Sequence, residues 1–164
     1  MTAIAVEAGT DRLRWETAYR SAFPRVYRGL VALGARPEEA EDALHDAFVK
    51  GLERAVSASI SSIDGWIFIV ASRSWRRRRV RDRVLLPWVM LLQHESPAVD
   101  DQSTDLIAAL RALPLRQRQV LVARFVIGLS QEETAEILGI ARGTVSATTS
   151  QATAALRRRM EVQR

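Results

Sequence analysis

Cysteine is absent from this 164-residue chain, which excludes disulfides, zinc–thiolate sites and thiol catalysis. The two histidines, His45 and His94, lie far apart in sequence and do not suggest a metal site. No Ser/His/Asp set, well-placed carboxylate pair or glycine-rich phosphate loop is found, so neither an enzyme nor a cofactor is expected. Glycine (8) and proline (5) are sparse, and long β-branched runs are few. The apolar run Val84–Leu92 is broken by Pro87 and is too short to span a bilayer. The N-terminus lacks a basic-then-apolar leader, so a cytoplasmic location without membrane association is the expectation.

What remains favours helices. Alanine, leucine, arginine and glutamate dominate, and 48% of residues are apolar, enough to bury a core. The formal charge is +5, and the basic residues are arginines except for Lys50. Net basicity suits a polyanionic partner. The arginines also cluster, which composition alone does not explain.

Residues 1–10 are small and irregular and are expected to be a flexible N-terminus. From Asp11 the apolar residues Leu13, Ala18, Phe23, Val26, Tyr27, Leu30 and Leu33 fit helical spacing loosely, and Pro24 suggests a helix start or kink. Gly34 and Pro37 mark a turn. Pro37 to Ala55 reads as a helix, with Glu38, Glu39, Glu41 and Asp42 complementing the dipole of its first turns. Ala40, Leu44, Ala47, Phe48, Gly51, Leu52 and Ala55 form its apolar stripe. Asp42, His45, Asp46, Val49 and Glu53 share another face, either plain solvated surface or a partner surface.

Val56–Asp64 reads as a serine-rich loop. Trp66 to about Arg81 resumes as a helix with Ile67, Val70, Ala71 and Ser74 on the buried side. Its outer side carries Arg73, Arg76 and Arg77, and Arg78, Arg79, Arg81 and Arg83 follow, interrupted only by Asp82. Such one-signed charge calls for an external anion, and nucleic acid is the reading favoured here. Leu85 to about Gln102 reads as a linker that begins apolar (LLPWVMLL) and ends acidic. An exposed run Leu85–Leu92 would risk aggregation, so it either packs on a neighbouring module or docks a partner.

The last third is the most specific. Thr104–Leu113 is a short helix ended by Pro114, and an apolar helix then runs into Gly128. Ser130 with Glu133 makes a capping box, Ala135 is small, Gly139 makes a turn, and Gly143, Thr144 and Val145 open another helix. That order reads as a helix-turn-helix. In its second helix Val145, Thr149, Ala152 and Leu156 fall on the inward stripe. Arg142, Ser146, Ala147, Ser150, Gln151 and Thr153 point outward.

The chain resembles the extracytoplasmic-function sigma factors of bacterial RNA polymerase, the members of the sigma-70 family that hold region 2, a linker and region 4. AEDALHDAFVKGLER (Ala40–Arg54) is similar to the family's region 2.2 pattern. GWIFIVASRSWRRRRVRD (Gly65–Asp82) is similar to its region 2.3–2.4 helix, and Leu113–Leu156 to region 4. The resemblance implies an all-α chain of two small helical domains. Region 2 would span residues 11–83, the linker 84–103 and region 4 residues 104–164.

It also implies partners: core RNA polymerase, through the β′ clamp helices and the β flap, promoter DNA, and in some members an anti-sigma factor. Asp42, His45, Asp46 and Val49 would dock on the clamp helices, with His45 and Asp46 standing where the family usually has glutamine and glutamate. Trp66, Arg73, Arg76 and Arg77 would hold the −10 element by stacking and backbone neutralisation. Trp75 is a second stacking candidate, and Arg73 stands where the family often has asparagine. Arg142, Thr144, Ser146, Ala147, Ser150 and Gln151 would face the −35 element.

Family members usually place arginine or lysine at several of those last positions. Gln151 suits adenine, and threonine or alanine a thymine methyl, so an A/T-leaning or weak −35 contact is expected. Arg118, Arg124, Arg142 and Arg157–Arg159 remain for phosphates. Two other readings compete with an initiation factor that does no chemistry itself. One is a free-standing helix-turn-helix regulator, and the other is a sigma-like protein that binds polymerase or another partner without reading promoters.

Overall fold

The computed structural model of the chain describes residues 2–53, 62–85 and 101–162, with side chains over 12–53, 62–81 and 105–161. Among these the regular structure is helical: α1 (Thr2–Leu33), α2 (Pro37–Glu53), α3 (Ile63–Leu85), α4 (Asp101–Arg111), α5 (Leu115–Leu121), α6 (Gln131–Leu138) and α7 (Arg142–Val162). The all-α expectation holds. Helix α1 reaches back to Thr2, where irregular chain was expected, and it runs through Pro24. Pro24 lies on the solvent side of the helix, where the lost backbone donor costs least.

Helix α2 starts as its sequence dictates. Pro37 occupies the first turn, and the Glu39 carboxylate accepts the Arg36 backbone N–H at 2.9 Å, satisfying one free donor. Ala40, Ala43, Leu44, Ala47 and Gly51 are its buried face. Helix α3 is capped by Ser62, whose Oγ accepts the Gly65 N–H at 3.2 Å. Asp64 in its first turn pairs with Arg25 of α1. Trp15, Tyr19, Phe48 and Trp66 pack where α1, α2 and α3 meet, with Trp66 edge-on to Trp15 at 5.5 Å.

Helices α4 to α7 form the second unit. The apolar helix before Gly128 is not uniform, since α5 passes into one π-helical turn over Val122–Ile127. That widened turn buries Val122, Ala123 and Ile127 while leaving Phe125 outside at 67% exposure. Gly128 then adopts φ +87°, a left-handed conformation that favours glycine. The capping box forms as read: Ser130 Oγ accepts the Glu133 N–H at 3.1 Å, and Glu133 accepts the Ser130 N–H at 2.7 Å. Gly139, also left-handed at φ +63°, ends α6 and turns the chain towards α7.

One apolar core joins the two units. It runs from Trp15, Leu30 and Phe68 through Leu110, Leu121 and Ile127 to Ala152. Helix α1 touches α4, α5 and the π-helical turn, and α3 touches that turn and α6. Two domains linked only by a tether would leave those faces wet; here each unit buries part of the other. Among the described residues, no helix is long and apolar enough to cross a membrane.

Candidate nucleic-acid and protein interfaces

The acidic face of α2 holds Asp42, His45, Asp46 and Val49 as its spacing required, but their environments differ. Asp42, His45 and Val49 are exposed, whereas Asp46 is half-buried. The Asp46 carboxylate accepts the Ser74 hydroxyl and, at 2.6 Å, the Arg78 guanidinium, which also donates to Asp42 at 2.9 Å. Burial pushes the Asp46 carboxyl up, but the Ser74 hydrogen bond, the Arg78 guanidinium and the charge of Lys50 outweigh it. They hold it below its ordinary value. Asp46 is therefore a structural tie between α2 and α3, whereas Asp42, although it also meets Arg78, is 68% exposed and so the more accessible of the two.

In the sequence Arg78 stands only as one member of the arginine run. The signal that could have found its role is the matching spacing of Ser74 and Arg78 on one helix and Asp42 and Asp46 on the other.

Helix α3 presents the basic face. Arg73, Arg76 and Arg77 are exposed beside each other, while Ala71, Ser72, Ser74 and Trp75 point inward. Trp75 cannot serve as a stacking platform, because it is buried and its indole N–H donates to Glu39 at 3.1 Å. Burial raises the Glu39 carboxyl, but hydrogen bonds from the Arg36 backbone, Trp75 and the Arg36 side chain, with the Arg36 charge, bring it below its ordinary value. Trp66 is half-buried and packs at a steep angle on Trp15, so only part of its indole is open to solvent.

On α7 the inward stripe is confirmed. Val145 and Ala152 are fully buried, and Thr149 turns its hydroxyl back to the Val145 carbonyl at 2.7 Å. Arg142, Thr144, Ser146, Ala147, Ser150, Gln151 and Thr153 all face solvent. Arg142 is tied at 2.9 Å to Glu132 at the start of α6, a pairing that spacing along the chain does not reveal. Two arginines expected on phosphates are used internally instead. Arg118 donates to the Leu33 carbonyl of α1 at 2.8 Å, and Arg124 donates to the Leu129 carbonyl after the π-helical turn. A carbonyl at a helix or turn end is an orphan acceptor, and a neighbouring guanidinium satisfies it.

These surfaces define a helical protein with a basic helix, an acidic helix and a helix-turn-helix. Over residues 109–158 the chain matches the family described as "Sigma-70, region 4". It is 28% identical over 142 residues to the ECF RNA polymerase sigma factor SigE of Mycolicibacterium smegmatis, covering 80% of this chain and 55% of that protein. It is 29% identical over 163 residues to the ECF RNA polymerase sigma factor SigM of Mycobacterium tuberculosis, covering 94% of this chain and 81% of that protein. The chain thus spans about half the length of SigE and about four-fifths of SigM. The fold is similar to that of the sigma factor RpoE of Bartonella quintana, solved with the anti-sigma factor NepR. The TM-score there is 0.74 at 22% identity, covering 92% of this chain and 99% of that one. Residues 109–158 thus match sigma-70 region 4, and over most of its length the chain is similar to extracytoplasmic-function sigma factors.

Proposed function

We propose that the chain is an initiation factor that docks on core RNA polymerase and directs it to promoters, leaving the chemistry to the polymerase. In this reading residues 11–83 act as region 2, residues 84–103 as linker and residues 104–164 as region 4. The observation that carries it is the pairing of one acidic and one basic helix in the first unit with a helix-turn-helix in the second. Asp42, His45 and Val49 meet the β′ clamp helices, with Asp46 holding that face on α3. Arg73, Arg76 and Arg77 neutralise the backbone of the −10 strand, and the exposed part of Trp66 borders it.

The exposed face of α7 meets the −35 element. Its Thr144, Ser146, Ala147, Ser150 and Gln151 give few charged contacts, and Arg142 is shared with Glu132. Guanine reading by arginine is therefore scarce, and A/T preference through methyl contacts and Gln151 follows. The same face favours one second reading: a sigma-like protein that binds polymerase without reading promoters. The relatives extend the partners to an anti-sigma factor, as the RpoE structure contains one.

Reconstitution with core polymerase on a randomised promoter library tests all of this together. The expected result is enrichment of a sharp −10 motif with a shallow, A/T-leaning −35 motif. Polymerase binding with no motif enriched supports the second reading, and absence of polymerase binding removes both.

A further inference from the structure

The C-terminal end of α1 is held by the other unit. Helix α1 has no basic residue in its last turn, so no cation of its own faces its final carbonyls. Arg118 of α5 donates to the Leu33 carbonyl at 2.8 Å, and Arg111 of α4 to the Val31 carbonyl at 3.3 Å. Two glycines of the first unit open sockets for apolar side chains of the second. A Cβ on Gly29 of α1 would stand 3.0 Å from Val122 Cγ1 and 3.2 Å from Ile127 Cδ1. A Cβ on Gly65 of α3 would stand 2.0 Å from Ile137 Cδ1 and 3.3 Å from Leu129 Cδ1. Matched sockets on two helices, with two hydrogen bonds beside them, make a specific seat rather than a loose collapse. The hold also has a cost, since the Arg118 Nε is buried without a hydrogen-bond partner, and release stays within reach.

That seat lies at one end of the proposed −10 surface. Ile137 and Leu129 cover the residue directly before Trp66, at the start of the helix that carries Arg73, Arg76 and Arg77. The outward face of α7 stays exposed. Distance adds a second constraint. A globular chain of this size measures about 40 Å across, whereas two elements about 25 base pairs apart are separated by ~85 Å of duplex. The seated chain therefore cannot lie on both elements at once.

We propose that the seat is an autoinhibitory latch. Arg111 and Arg118 fasten the second unit to α1, Ile137 and Leu129 close the start of α3, and DNA is held fully only once the latch opens. Arg73, Arg76 and Arg77 remain exposed in the closed chain, which keeps a weak, salt-sensitive grip on phosphates but not the stacking end beside Trp66. The latch governs DNA binding only if α3 holds the −10 strand, the assignment on which it rests.

The absence of cysteine allows a reversible lock to be built into the full chain. Gly65→Cys with Ile137→Cys places two Cβ atoms within ~4.5 Å of each other, inside the range that a disulfide spans. Mild oxidation is expected to close that bond within one molecule, read as a faster band on a non-reducing gel that reductant abolishes. Anisotropy of a fluorescent single strand of mixed sequence then compares the locked and reduced forms, and reduction is expected to tighten binding. Arg111→Ala with Arg118→Ala removes both fastenings and is expected to bind at least about fivefold tighter than the locked form, the worth of one stacked base. The wild type falls between them in proportion to its open fraction. Loss of two positive charges alone would weaken binding, so the sign of the change separates unlatching from electrostatics. Failure of the cysteine pair to cross-link overturns the proposal, as does equal binding by the oxidised and reduced forms or weaker binding by the arginine variant than by the wild type. If the polymerase library still yields a −10 motif, such a result removes the latch alone; if it yields none, the assignment of α3 falls and the latch with it.

Discussion

Replacing Asp46 separates a structural role from a docking role within one acidic face. Its carboxylate holds the nearly buried Ser74 hydroxyl and one arm of Arg78. Asp46→Ala removes a charge-assisted hydrogen bond and leaves the Ser74 hydroxyl without its acceptor. Arg78 keeps Asp42 and partial solvent access, which lowers the cost. A loss of about 2 kcal/mol follows, against about 1 kcal/mol for Ser74→Ala. For a chain of this size those losses lower Tm by about 4–8 °C and about 2–4 °C. Because the two side chains contact each other, the double variant is expected to lose about 1 kcal/mol less than the sum of the singles. Thermal or urea unfolding followed by helical circular dichroism reads all four proteins. Full additivity, or an Asp46→Ala cost under about 0.5 kcal/mol, refutes the assignment of Asp46 as a tie between α2 and α3.

Thr134 is fully buried in α6 with a hydroxyl that has no hydrogen-bond partner. Thr134→Val is therefore expected to stabilise by about 1 kcal/mol, and a Tm that drops instead would reveal an acceptor for that hydroxyl. Ser130→Ala removes the Oγ that accepts the Glu133 N–H, leaving the Glu133 carboxylate on the backbone N–H of residue 130, and is expected to cost about 1 kcal/mol, read in the same unfolding curves. Glu39 and Asp46 are both held below their ordinary values of 4.5 and 3.8. Their contribution is complete above those values and is lost as pH falls through the lower folded values, so stability declines in acid. Glu39→Gln is expected to flatten that decline; an unchanged acid slope would contradict the assignment.

Much of this fold could be read from residue spacing, because spacing determines what each helix buries. The capping box, the turn at Gly139 and the inward stripe of α7 each follow from residues a few positions apart, and all formed as expected. Contacts between distant helices could not be read that way. Arg78 and Arg118 look like solvated charge in a list of arginines, and only folding shows that one neutralises α2 and the other caps α1. Trp75 behaves similarly, since its indole can face solvent or core until Glu39 is placed beside it. The π-helical turn has no marker in VARFVI, and it directs Phe125 outward where a regular helix would place that side chain differently. The joint between the units was invisible because neither apolar seam is complete within one segment.

If α2 docks on core RNA polymerase as proposed, Asp42 is the acid whose reversal is felt most, because Asp46 is half-buried against Ser74 and Arg78 while Asp42 is 68% exposed. Titrating the chain against purified core RNA polymerase and comparing Asp42→Arg is the most direct measurement. Saturable binding by the wild type is expected. Reversing the charge is expected to weaken it at least about tenfold, with unchanged helical content. Equal binding by both proteins, or no binding by either, would contradict it.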